Sequence, residues 1–399
     1  MTLLLLPFFN PACFEKIASL NFLDTLFTAA KIVSFVAIIV LYLRSNRLSK
    51  TVAAIMIYEA VLLFSTVVHF GNYWKLAVNC GTVIGFCMVL EMGLKNNCRV
   101  LVNSLFNINF LLCLINALLV IIFPNGIIQA DGVNDSVNFL GGDNILPPLM
   151  LPAIAVSVLY YEFNGKKSVF RSGLLILSVC VSILVTWSAT GVVGLASFIL
   201  YLLFVYKKKI SGLINSAFLG VLYTIAFFAL IVFRLQVYFA FIIEDILHKN
   251  VSLTGRTQIW DYALMMIRRS PWFGYGVYDK LIYLRNQYFI HAHNGVLEIL
   301  LEGGAAALLM FVFLFVRSCS ELYRYRGKYI SGVITGAFFS MQVLLLSEGY
   351  INQMWIFGLM IFAVNISYIA EKADTPVKQD SIEDIPLSKR YIHYRLNRR

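Results

Sequence analysis

With 399 residues, 60% of them hydrophobic and 13% charged, and a mean hydropathy of +0.79, the chain has too few polar side chains to cover a soluble fold. The formal net charge of +11 does not point to nucleic acid, because Lys and Arg are dispersed among short segments between apolar runs instead of gathered in one patch. Seven cysteines with no CxxC or similar spacing argue against a disulfide framework or a zinc module.

Met1-Thr2-Leu3-Leu4-Leu5-Leu6 lacks a basic leader and a cleavage site and is not read as a signal peptide. Apolar runs near twenty residues then recur, the length that crosses about 30 Å of hydrocarbon as a helix. They predict spans at 23–43, 51–70, 75–94, 99–123, 146–163, 169–187, 190–206, 211–233, 294–316, 329–347 and 352–370. The expected fold class is an all-α polytopic membrane protein with eleven transmembrane helices, or twelve if residues 1–22 hold a further segment. Without low-complexity tracts or strong repeats, residues 1–370 read as one integral membrane domain, and 371–399 as a basic cytoplasmic tail.

Basic residues alternate along the loops. Arg44, Arg47 and Lys50; Lys95 and Arg99; Lys166, Lys167 and Arg171; Lys207, Lys208 and Lys209; and Arg317, Arg324, Arg326 and Lys328 all fall on one side, which the positive-inside rule makes cytoplasmic. The 124–145 loop, with Asp131, Asp135 and Asp143, and the long 234–293 loop then face outward, away from the cytoplasm.

The large outer loop is expected to contain short helices. Ile259, Trp260, Tyr262, Leu264, Met265 and Ile267 recur at helical spacing until Ser270-Pro271 stops the run. Trp272-Phe273-Gly274-Tyr275-Gly276 reads as a turn, followed by Tyr278, Tyr283, Tyr288 and Phe289. These aromatics and Trp260 can anchor at the interface or form a sugar platform. The loop ends in His291-Ala292-His293-Asn294, immediately before a span.

An imidazole that titrates near neutrality makes His293 the candidate base, with His291 beside it. Arg256 can grip phosphate oxygens with a fork that stays charged. Asn294 can orient the imidazole, bind a sugar hydroxyl or cap the following helix. Carboxylates in or beside the membrane need partners, so Glu298, Glu302 and Glu348 invite attention, with Glu348 a possible base or histidine partner. Glu59 and Glu91 read as inter-helix contacts. Two histidines could serve a metal, but the local sequence offers no third ligand, so no metal or other cofactor is expected. The chain shows neither a Rossmann nor a P-loop motif to hold a nucleotide.

The ordered set Gly255-Arg256-Thr257 with Trp260, Arg269-Ser270-Pro271-Trp272-Phe273-Gly274-Tyr275-Gly276, and His291-Ala292-His293-Asn294 with Leu297-Glu298 and Glu302-Gly303-Gly304 resembles the O-antigen ligase and Wzy-type polysaccharide polymerase superfamily. The resemblance implies metal-independent transfer of a glycan from an undecaprenyl-pyrophosphate-linked donor to a sugar hydroxyl of an acceptor, at the outer face of the membrane. It implies a polymerase of O-antigen, capsule or exopolysaccharide, or a ligase attaching the glycan to lipid A-core, with a flippase and a chain-length regulator as protein partners. One position departs: Ala189 stands where such proteins often carry an arginine, in Thr186-Trp187-Ser188-Ala189-Thr190-Gly191. Another outer cation, Arg234 or Arg268, is then the replacement, and polymerase is the preferred reading. A transporter or flippase would instead concentrate polar residues in broken helices at the membrane midplane.

Overall fold

In a bilayer, backbone N–H and C=O groups find no water, so the apolar runs of this chain close their hydrogen bonds within helices. The computed structural model describes residues 1–45, 47–128, 137–206, 212–235, 256–277, 291–349 and 354–374. Among them, β structure is limited to isolated bridges pairing Val137 with Ile128 and Gly142. The expectations placed on Asp131, Asp135, Lys207, Lys208, Lys209, Gly255, Tyr278, Tyr283, Tyr288, Phe289 and the tail beyond 374 lie outside the described residues.

Two short helices, α1 (Thr2–Leu5) and α2 (Cys13–Lys16), open the chain. Long helices follow as α3 (Asn21–Ser45), α4 (Lys50–Val68), α5 (Tyr73–Ile122), α6 (Leu146–Asn164), α7 (Val169–Thr186), α8 (Ala189–Tyr206) and α9 (Ser216–Phe227). The 234–293 loop contributes α10 (Arg256–Arg269), and α11 (Gly295–Arg324), α12 (Tyr329–Leu345), α13 (Met354–Val364) and α14 (Ile366–Asp374) complete the bundle. Polar residues mark several starts: the side chains of Ser49, Asn72, Asn215 and Asn294 each accept from backbone N–H groups of the first turn. α12, with Ser331, Thr335, Ser340 and Gln342 among its apolar residues, and the wholly apolar α13 are buried on nearly every side, which places them at the centre of the bundle.

Two apparently long helical stretches fold back on themselves. Asn97 leaves helical geometry at φ −153°, ψ 81°, and a Cβ on Gly93 would lie 2.9 Å from the Leu101 side chain. A straight helix would separate these two residues by about 12 Å along its axis. The second reversal is at Gly165 (φ 69°), after which Ser157 and Ser172 each donate to the other's carbonyl at 3.0 and 3.3 Å.

Among the described residues, five helical stretches can cross a membrane by length and composition, or six if the pair α13–α14, bent by 61°, counts as one. Three further apolar helices, Ala189–Phe204, Ser216–Val232 and Tyr329–Leu345, are shorter. The protein is thus an all-helical, multi-pass membrane protein; its helices coincide with the expected segments, while fewer than eleven of them meet the length of a full span. Residues 1–22 form only helices of three or four residues up to Leu20, and Leu5, Phe8 and Phe9 plug into the bundle, Phe9 edge-on to Trp355 at 5.0 Å.

Glu91 behaves as expected of an inter-helix contact: its carboxylate accepts from Tyr42 and Ser49 and pairs with Lys95 at 2.8 Å. Glu59 is equally buried, yet both of its carboxylate oxygens lack a partner among the described residues.

Candidate active site

The site is built on a broken helix. Gly304 interrupts α11 with φ 62°, ψ −160°. In an unbroken helix Ala305 and Ala306 would donate to the carbonyls of Leu301 and Glu302. Instead, the strap Pro271–Val277 is inserted between them. Leu301 and Glu302 accept from Tyr275 and Gly276 at 2.7 and 2.9 Å, while Ala305 and Ala306 donate to Pro271 and Trp272 at 2.8 and 3.1 Å. All four freed backbone groups are satisfied by the strap. The contact needs glycine on both sides, since a Cβ on Gly274 would sit 2.4 Å from Leu301 O and one on Gly304 2.3 Å from Trp272 C, each at positive φ. This explains why Phe273-Gly274-Tyr275-Gly276 and Glu302-Gly303-Gly304 occur together in the sequence.

The strap fixes the C-terminal end of α10. The buried stripe Trp260, Ala263 and Met266 lays α10 on Ala292, Leu297 and Leu301 in a small apolar core separate from that of the bundle. At its N-terminal end α10 carries Arg256, whose Nη2 lies 2.9 Å from Glu348 Oε1. Glu348, buried just beyond α12, uses its other oxygen, Oε2, to meet His293 Nδ1 at 3.3 Å. The two histidine rings lie 4.0 Å apart between centroids, tilted by 36°. Residues from three separate stretches thus form one chain, Arg256–Glu348–His293, with His291 alongside.

His293 sits at φ 47°, a left-handed conformation uncommon outside glycine that costs on the order of 1–3 kcal/mol and concentrates at functional positions. Asn294 is occupied structurally. Its side-chain oxygen caps α11 on Val296 and Leu297, and its amide donates to Leu346 O at 3.1 Å. Trp260 is buried and donates its indole N–H to Ala292 O at 3.0 Å, so it packs beneath the site and not as an open platform.

The other two arginines stand apart from Glu348. Arg234 reaches Asp261 at 2.6 Å and Thr257 O at 3.3 Å, and its guanidinium lies over the Trp260 ring at 5.1 Å, one turn from Arg256. Arg268 lies in the last turn of α10, about 18 Å along the helix axis from Arg256. The stretch carrying Ala189 does border the site: Thr190 lies 3.4 Å from Ser347, next to Glu348.

The local sequence offers the two histidines no third metal ligand, but Glu348, distant in sequence, brings a donor atom within 4.8 Å of donors on both. The residues could therefore hold a cation. Arg256 on the same carboxylate opposes one, because its fixed charge already neutralises Glu348.

Burial lowers the pKa of His291 from 6.5 to about 4; His293 and Arg256 push the same way and Glu348 opposes them. As pH falls from 6.5 towards 4, the unfolded chain binds a proton that the folded chain refuses, so acidification across that window destabilises the fold. His291→Gln is expected to flatten the decline in melting temperature between these values relative to wild type, measured in detergent. An unchanged slope would remove His291 as the cause.

An apolar groove of about 750 Å³ runs between α9 and α11, lined by Tyr223, Phe227, Val296, Phe311, Phe315 and Tyr323. Its Val296 end is three residues from His293. Neither this groove nor the backbone exchange at Gly304 was read from the sequence; the paired glycine motifs were the available signal for the second.

Residues 173–312, about a third of the chain, match the family model described as O-antigen ligase. The chain carries an O-antigen ligase family domain. The match runs from α7 past the break in α11 and contains Arg256, Trp260, His291, His293 and Glu298, whereas Glu348 lies beyond it. The match agrees with the resemblance carried by the loop motifs and supports a place in the O-antigen ligase and Wzy superfamily. No curated protein matches the chain.

Proposed function

We propose that the protein is a Wzy-type polysaccharide polymerase that moves a glycan from an undecaprenyl-pyrophosphate carrier to a sugar hydroxyl of a lipid-linked repeat unit. The observation that carries this reading is the Arg256–Glu348–His293 chain, a potential base oriented by a carboxylate that also holds a guanidinium. With Nδ1–H facing Glu348, His293 Nε2 takes the proton of the acceptor hydroxyl. The acceptor oxygen forms a bond to the anomeric carbon as the bond from that carbon to the pyrophosphate breaks. Arg256 has donors beyond the one used on Glu348 and stabilises the departing pyrophosphate. The groove ending at Val296 suits the apolar tail of the carrier. No metal enters this mechanism.

The ligase reading is favoured by the wording of the matched family, and the polymerase reading by Ala189, which puts no cation at a position bordering the site. Purified protein supplied with undecaprenyl-pyrophosphate-linked repeat units alone should build a ladder of polymers. Transfer seen only when lipid A-core is added would identify a ligase, and no product with either acceptor would overturn both.

The proposal includes an eleven-span domain over residues 1–370, a cytoplasmic tail from 371 and a site on the outer face of the bacterial inner membrane. Gln258 is exposed on α10, and a Cβ on Gly327 meets nothing within 4 Å. In a background without native cysteines, Gln258→Cys should react with an impermeant thiol reagent in intact cells and Gly327→Cys should not. The reverse pattern would invert the topology.

A further inference from the structure

The peptide groups on either side of Ala292 join the two histidines, and each is held by a buried side chain. The Ala292 N–H donates to Glu298 Oε2 at 2.7 Å, and the Ala292 carbonyl accepts from Trp260 Nε1 at 3.0 Å. Ala292 itself is fully buried. Glu298 lies one turn into α11 and is also buried, and a Cβ on Gly349 would be 3.1 Å from its Oε2. Its carboxylate therefore lies between the histidine loop and the backbone of the residue that follows Glu348.

A carboxylate is an expensive group to place at this depth, and an ordinary helix cap does not require it, since Asn294 already caps α11. What Glu298 adds is a strong acceptor for one N–H, at the point that fixes where the loop leaves the helix. The left-handed turn at His293 makes that anchor consequential. A residue held in a sparsely populated backbone region relaxes unless its surroundings over-determine it.

We propose that Glu298 is the positioning residue of the histidine pair: with Trp260 on the opposite side, its carboxylate clamps the Ala292 backbone and so holds His293 in register with Glu348. The inference rests on the catalytic reading of His293 given above. Glu298 touches neither donor nor acceptor; it acts through the loop.

The test uses the full-length protein in detergent, with Glu298→Gln, which keeps an acceptor oxygen, and Glu298→Leu, which keeps the volume but offers none. Two quantities are measured: the rate at which diethylpyrocarbonate modifies His291 and His293, followed by mass spectrometry, and kcat and KM for polymer formation. Glu298→Leu should be modified faster and lose about tenfold or more in kcat with little change in KM, because misplacing a reacting group by about 1 Å is costly while the carrier contacts remain. Glu298→Gln should match wild type in modification rate and keep about a third or more of its kcat. If Glu298→Leu does not accumulate, Trp260→Phe releases the other side of the clamp and should give the same pair of changes. Wild-type modification and turnover in the variants lacking a clamp partner would overturn the proposal. So would a Gln variant as impaired as the Leu variant, since the charge and not the hydrogen bond would then be what matters. Absence of polymer from the wild type would refute the function, whereas the modification rates decide the clamp by themselves.

Discussion

His293→Ala is expected to abolish polymer formation at unchanged membrane abundance, a loss of about a hundredfold or more, the usual contribution of a general base. The backbone at His293 complicates the alanine, because φ 47° is unfavourable for most side chains. His293→Asn is the sharper variant. Asparagine tolerates the left-handed region and can still meet Glu348, but it cannot accept the acceptor's proton at working pH. Both variants should therefore fail in the polymer-ladder assay, and His293→Asn should do so while retaining the wild-type melting temperature. Near-normal polymer from a well-folded His293→Asn protein would remove His293 from the chemistry.

Arg256→Lys is expected to keep only a small part of the activity, a deficit on the order of tenfold to a hundredfold. A guanidinium can hold Glu348 with one edge and present further donors to pyrophosphate, whereas an ammonium is a compact charge without a planar fork. In the lysine variant the two roles compete for one group. The defect should appear in assays containing a chelator and should persist when magnesium is added. Full activity in Arg256→Lys would make the arginine a loop anchor. A wild type that stops in chelator would instead favour a cation on His291, His293 and Glu348.

The helical class was legible because bilayer-length apolar runs leave few alternatives, and the position of α10 because Ile259, Trp260, Tyr262, Leu264, Met265 and Ile267 recur at helical spacing until Ser270-Pro271, although the face the fold buries is Trp260, Ala263 and Met266. Arg256 and His293 could be singled out as residue types suited to a pyrophosphate and a hydroxyl. Their meeting point was less accessible. Glu348 lies 55 residues beyond His293, and only packing against α12 brings it there. Asn294 and Trp260 illustrate the opposite limit: each had a plausible substrate role by type, and each is spent on backbone groups in the fold. The number of crossings stayed open because helix length measures a span only when the helix is straight, and the turns at Asn97 and Gly165 defeat that measure.

The interruption of α11 also bears on how the site meets its lipid surroundings. No single helix axis runs from the histidine cap to the far end at Arg324, because the rod is divided at Gly304 and both of its pieces are bonded to the strap, the upper through Leu301 and Glu302 and the lower through Ala305 and Ala306. Spans accommodate bilayers of different thickness by changing tilt. Here the bonds on both sides of the break tie the strap, α10 and the two pieces of α11 into one unit, so a change of tilt carries Arg256 and His293 along together.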